Sequence, residues 1–357
     1  MRRTIPLLSG LAILGVIFNH ANWHALRDFA AGQIGGYPYI VTDQVGKFAI
    51  VSFLFIAGYF SAYATNGGKT DLRWEVVRAR LLGLLWPWLF WAAFFTLAQA
   101  FQGGELSPVK LPGALLYNLF IQYYFIPLLM FYYLLAPAIS HWARTQARSL
   151  LLVSAIVQIL GIGLFYLRVY WPGFPPAWQP WIDIGPLQYL RFAFAFPLGM
   201  FAGMFPQRVK TPLARLKRPL PWLVLAFFIL SAIESGFAYA YGAQRPAVWS
   251  IGGDQTRLTA ALFSLAFVAC FIVYENIKLP LNSQLIKMGT RSYGLYLSHY
   301  VILGVLGKAL ERILPDALHQ GWLVFPALFA LTTLLAMSLM ELVARSPFKR
   351  VYRYIFG

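Results

Sequence analysis

The sequence predicts an all-α, polytopic transmembrane bundle of about ten helices, with both termini on the cytoplasmic side. Three observations predict it. First, 59% of the 357 residues are hydrophobic and only 11% are charged, whereas a soluble globular domain carries about 25% charged residues. Second, the apolar residues fall into long runs that can cross a hydrocarbon core of roughly 30 Å. Third, Lys and Arg gather in every second connection between those runs, the pattern that orients membrane proteins.

In chain order the runs cover about residues 5–25, 46–66, 81–101, 115–139, 149–167, 187–205, 220–241, 257–274, 289–309 and 322–343. Stretches such as GGKTDLR (67–73) and PQRVKTPLARLKRPLP (206–221) separate them with the Gly, Pro and charge that interrupt helices. The first run follows Arg2 and Arg3 and is too long for a signal-peptide core. It also lacks a small-residue cleavage site, so it is expected to remain as a signal anchor. The N-terminus and alternate connections hold 20 of the 29 Lys and Arg, among them Lys69, Arg73, Arg78, Arg80, Arg144, Arg148, Lys287 and Arg291. That richer side is cytoplasmic by the positive-inside rule.

The net charge of +17 is therefore topological. The basic residues form short clusters between apolar runs instead of one patch, which excludes a nucleic-acid partner. Cys270 is the only cysteine, so no intrachain disulfide and no zinc spacing exists, and no metal is expected. The chain reads as one domain over 1–357 without an appended soluble domain. The two halves show no internal repeat, unlike many secondary transporters.

Ionisable residues inside apolar runs are costly and mark functional sites by default. His20 lies roughly 22 Å along the first helix at 1.5 Å per residue, in the outer half of the bilayer. His24 follows one turn later on the same face, and Asn19 and Asn22 add polarity at that depth. His20 suits a base facing a water-filled pocket; a histidine can also serve as interhelical glue, which is the stronger alternative for His24. Glu234 sits about fourteen residues into its run and needs a partner, with Arg191 and Arg257 at comparable depth. Asp28 and Asp43 lie beyond the first helix, as sugar-hydroxyl ligands or as solvated loop carboxylates. The outer segment RVYWPGFPPAWQPWIDIGP (168–186) combines five prolines with three tryptophans. It can form an interfacial aromatic belt or, through residues such as Trp178, a stacking platform for sugar rings.

Several motifs resemble the acyltransferase 3 family of integral membrane acyltransferases. SGLAILGVIFNH (9–20) resembles its first helix, and His20 matches the proposed catalytic histidine. FLFIAGYF (53–60) resembles a second-helix motif, with Ala57, Gly58 and Tyr59 at its Ser-Gly-Phe positions. VRARLLGLLWP (77–87) resembles the Arg-rich entry to the third helix, matched by Arg80 and Pro87. QYYFIPLLMFYYLLAP (122–137) resembles the aromatic fourth helix. GTRSYGLYLSHYVIL (289–303) is the most specific match, through Ser292, Tyr293, Tyr296 and His299. Ser9 occupies the position of an arginine common in the family, Pro6 that of a frequent aspartate, and Gly83 that of a second arginine.

The resemblance implies an acyl-CoA donor, acetyl-CoA above all, on the cytoplasmic side. It implies as acceptor a hydroxyl of an extracytoplasmic polysaccharide, sugar or lipid-linked glycan. The protein would be a multi-pass O-acyltransferase of the cell membrane, on this reading the bacterial cytoplasmic membrane. Acyl transfer needs a base and an oxyanion donor. His20 is the expected base, acting directly or through an acyl-imidazole. Tyr296, Asn19 or His299 would support the oxyanion; Ser292, Tyr296 and His299 share one helix face at i, i+4 and i+7. Arg78, Arg80 and Ser292 would hold the donor, arginine forks suiting its phosphates. His24, Glu234 and Trp178 would contact the acceptor. The competing function is a proton-coupled transporter or flippase of a lipid-linked or anionic substrate, with His20 and Glu234 as its relay.

Overall fold

The structure, a computed structural model, describes residues 4–26, 29–30, 32–103, 110–183, 186–242, 253–274, 279–313 and 321–357. Asp28 and the Arg2 and Arg3 pair lie outside the described residues. Within them every regular element is helical.

The first helix, α1 (Ile5–Leu26), is unbroken and central, packing on elements from both ends of the chain. A 3-10 turn, α2 (Tyr37–Asp43) and a second 3-10 turn (Gln44–Gly46) lead into α3 (Ala49–Ser61). The next helix, α4 (Trp74–Gly103), carries Pro87 inside it. Then come α5 (Leu111–Tyr117), a wide π turn (Asn118–Gln122) and α6 (Phe125–Tyr170). A non-helical Gln146 (φ −142°, ψ 57°) interrupts α6, so this one element contains the span expected at 149–167 and the part of the span expected at 115–139 that follows Tyr124.

Short helices α7 (Gln179–Asp183) and α8 (Pro186–Leu190) precede α9 (Ala195–Met204) and α10 (Pro206–Arg215). The remaining elements are α11 (Leu220–Gly242), α12 (Leu258–Val273), α13 (Asn282–Thr290), α14 (Ser292–Ile313), α15 (Gly321–Arg345) and α16 (Tyr352–Phe356). Six helical stretches among the described residues are long and apolar enough to cross a bilayer; α9 and α12 are shorter apolar helices.

Three expected spans are not continuous, the one at 115–139 being broken at Tyr123 and Tyr124 before α6. The run at 187–205 breaks between α8 and α9, and the run at 289–309 breaks at Arg291 between α13 and α14. Hydropathy registers composition, which these breaks do not change. Asp43 also departs from expectation. It is 0% exposed and pairs with Lys47 at 2.5 Å, because α2 folds into the bundle instead of staying in a solvated loop.

Glycines set the tightest helix contacts, as small residues do in membrane bundles. A Cβ on Gly58 would lie 2.1 Å from the Phe196 carbonyl oxygen, and one on Gly199 2.0 Å from that of Phe55, so α3 and α9 touch backbone to backbone. Gly10 and Gly289 do the same for α1 and α13, at 2.0 Å from the carbonyl oxygens of Leu285 and Pro6.

At membrane depth, irregular backbone is tolerated where it is buried in protein or lines a watery cavity. Three irregular segments converge here: the turn at residues 44–48, the π turn with its exit at Tyr123 and Tyr124, and the break at 191–194. They contribute Gly46, Lys47, Tyr124, Arg191 and Phe192 to one cavity.

Candidate active site

That cavity measures about 270 Å³ and has His20 in its wall. The α1 helix presents His20 to α14, where Tyr296 and Tyr300 stand one turn apart with His299 between them. The ring centres lie 4.4 Å apart for His20 and Tyr300, 5.2 Å for His20 and His299, and 4.3 Å for His299 and Tyr300. The Tyr300 hydroxyl is 2.9 Å from His20 Nε2. A phenol both donates and accepts, so it holds this nitrogen in either tautomer and fixes the ring.

His299 is fully buried, with Nδ1 against the backbone carbonyl of Tyr296. A carbonyl only accepts, so Nδ1 carries the proton and Nε2 keeps its lone pair. That Nε2 is buried with no hydrogen-bond partner among the described residues. In this tautomer His299 presents an acceptor, so of the three oxyanion donors expected from sequence Tyr296 and Asn19 are left, and both residues line the cavity. Asn19 is set against Gly46, whose bare backbone leaves room for its amide.

The remaining wall is polar and comes from three distant segments. Lys47 and Arg191 are 2% and 3% exposed. Lys47 donates to the Gly253 carbonyl at 2.6 Å in addition to pairing with Asp43. Arg191 Nη1 donates to Asp254 at 3.1 Å and to the Thr256 hydroxyl at 2.8 Å. Asp254 accepts at its other oxygen from the Thr256 backbone NH (2.6 Å) and hydroxyl (2.5 Å). Burial alone would raise the Asp254 pKa, but Arg191 and the two Thr256 hydrogen bonds outweigh it and hold the carboxyl below its ordinary range. Gln255 hydrogen-bonds the Tyr124 hydroxyl, and Gln188 and Trp23 complete the wall.

Residues 5–341 match the family model for the acyltransferase domain of the acyltransferase 3 family. The chain belongs to this family. It is a membrane acyltransferase, and O-acyl transfer is the family's general chemistry. No curated protein and no solved structure matches it significantly.

The bundle of this acyltransferase gathers His20, Tyr296 and His299, and it adds Tyr300, Lys47, Arg191 and Asp254, which were not singled out together from sequence. The other expected site residues stand elsewhere. Ser292 hydrogen-bonds the Ser9 hydroxyl at 3.1 Å, toward the arginine-rich end of the bundle. Arg80 donates to the Tyr133 hydroxyl at 3.2 Å and the Phe60 carbonyl at 3.1 Å, while Arg78 is exposed. His24 packs against Gly307 on α14 and is not among the cavity-lining residues.

Glu234 accepts hydrogen bonds from Tyr166 and Thr259 and pairs with Arg257 at 3.5 Å. The arginine partner expected from sequence is thus present, on the helix-capping side of α12, and this network lies outside the cavity wall. Trp178 is 55% exposed in a 3-10 turn (Pro176–Trp178), flanked by the Arg168 to Asp183 ion pair at 2.6 Å, and does not reach the cavity.

Proposed function

We propose that this acyltransferase moves a small acyl group, acetyl, from cytoplasmic acyl-CoA to a hydroxyl of an extracytoplasmic glycan or glycolipid. The observation that carries this reading is the Tyr300-held His20 in a polar cavity, about two thirds of the way along α1 from the arginine-rich end. The positive-inside rule makes that end cytoplasmic, so the cavity serves the outer half of the membrane.

In the proposed reaction, His20 takes the proton of the acceptor hydroxyl as its oxygen attacks the thioester carbonyl carbon. The developing oxyanion receives a hydrogen bond from the Tyr296 hydroxyl. The carbon–sulfur bond then breaks, and the leaving thiolate collects the proton from His20. An ester and free CoA result, with His20 neutral again. Arg78 and Arg80, at the mouth of α4, are the proposed contacts for the donor's phosphates.

The test is CoA release from acetyl-CoA by the detergent-purified chain, with and without a mixture of glycans. Acceptor-dependent release supports the proposal. Accumulation of substrate inside protein-bearing vesicles without CoA release would make the protein a carrier instead.

A further inference from the structure

Besides His20 the cavity wall carries two buried cations, and each is neutralised in place. Asp43 sits 2.5 Å from Lys47 and Asp254 3.1 Å from Arg191. Charge that is matched inside the protein leaves no net attraction for an anionic ligand. What the wall does offer is an alternation of hydrogen-bonding groups. The Asp254 carboxylate accepts, whereas Arg191, Lys47, Gln188 and Gln255 donate. Asp254 as acceptor and Arg191 as donor stand side by side on this wall, already joined at 3.1 Å. Trp23, Tyr296 and Tyr300 add aromatic surface.

We infer that this cavity is the subsite for the acceptor's reacting sugar ring, that the ring is a neutral hexose unit, and that Asp254 with Arg191 reads a pair of its neighbouring hydroxyls. The inference rests on the proposed transfer to an acceptor hydroxyl. Size supports it: a protein cavity of about 150 Å³ takes a benzene, and 270 Å³ takes one substituted six-membered ring. Neighbouring ring hydroxyls each donate and accept, which matches an acceptor and a donor already aligned by their own ion pair. The axial and equatorial CH groups of such a ring would rest on the aromatic surface. An acidic sugar would bring a carboxylate against Asp254 with no uncommitted cation to meet it, an expensive arrangement in a buried site.

Binding of methyl hexopyranosides and of a methyl hexuronide to the detergent-purified full chain, followed by saturation-transfer NMR, tests this. No acyl donor is present, so its failure is distinguishable from a failure of CoA release. Wild type should bind at least one neutral hexoside about tenfold more tightly than the hexuronide. Asp254→Asn leaves Arg191 uncompensated and should reverse that preference, an outcome that general loosening of the fold does not produce. Gln188→Leu keeps both ion pairs, and should weaken the neutral hexoside severalfold without reversing the preference. Hexuronide binding by wild type equal to or tighter than any hexoside would overturn the inference. So would the absence of binding by every hexoside, or an unchanged preference in folded Asp254→Asn.

Discussion

Tyr300→Phe removes one oxygen and one hydrogen bond, the 2.9 Å contact to His20 Nε2. The ring remains, so the packing at 4.4 Å from His20 and 4.3 Å from His299 is kept. Losing a buried hydrogen bond and leaving its partner unsatisfied costs about 1–3 kcal/mol. At 1.36 kcal/mol per factor of ten, that converts to a fall of roughly 5- to 150-fold in kcat if the bond orients the base in the transition state. The KM values for donor and acceptor should stay within about twofold, because neither substrate is held by this bond. Tyr123→Phe is the control. It loses a bond of the same 2.9 Å length, to the Leu297 carbonyl, in the same aromatic cluster. Its thermal midpoint should fall by a similar amount while its kcat holds. Steady-state CoA release by the two variants separates the roles. Equal kcat in Tyr300→Phe and wild type, or equal losses in both variants, would refute Tyr300 as the residue that positions His20.

Two further outcomes concern the scaffold. Gly10→Ala and Gly289→Ala each place a methyl 2.0 Å from a backbone oxygen, which must force α1 and α13 apart at a cost of about 1–3 kcal/mol; their midpoints in detergent should drop, whereas Gly83→Ala, facing open space, should not. Asp71 links the loop after α3 to α6 through Arg144 and then His141, whose hydrogen bonds hold its carboxyl below the ordinary range. A depressed carboxylate stabilises the fold above its unfolded value of about 4 and loses that contribution as pH falls through its folded value. The midpoint difference between wild type and Asp71→Asn should therefore be present at neutral pH and vanish in acid, and it should be small because the pair is exposed.

The helical class was legible because it depends on local pattern, and the helix pair behind the site through the resemblance of 9–20 and 289–303 to motifs of the family. Hydropathy locates membrane runs, and face arithmetic on α14 joins Ser292, Tyr296 and His299. The same arithmetic extends to Tyr300 at i+8, so its place beside His20 was within reach of the sequence. The polar wall was not. Lys47, Arg191 and Asp254 come from the turn before α3, a helix break and a connection, and their union depends on how three irregular segments fold inward. Asp43 shows the same limit, since a carboxylate between apolar runs looks solvated until α2 turns it into the bundle. Glu234 was different: a charge deep in an apolar run demands a counter-ion wherever the chain goes, and Arg257 supplies it.

The measurement that bears most directly on the account is acetyl-CoA turnover with glycan acceptor by wild type, His20→Ala and His20→Gln, purified at matched folding. General base catalysis contributes about 10²- to 10⁴-fold, so both variants should lose at least a hundredfold in kcat while remaining inserted and folded. Turnover by either variant within about threefold of wild type would contradict His20 as the base of the transfer.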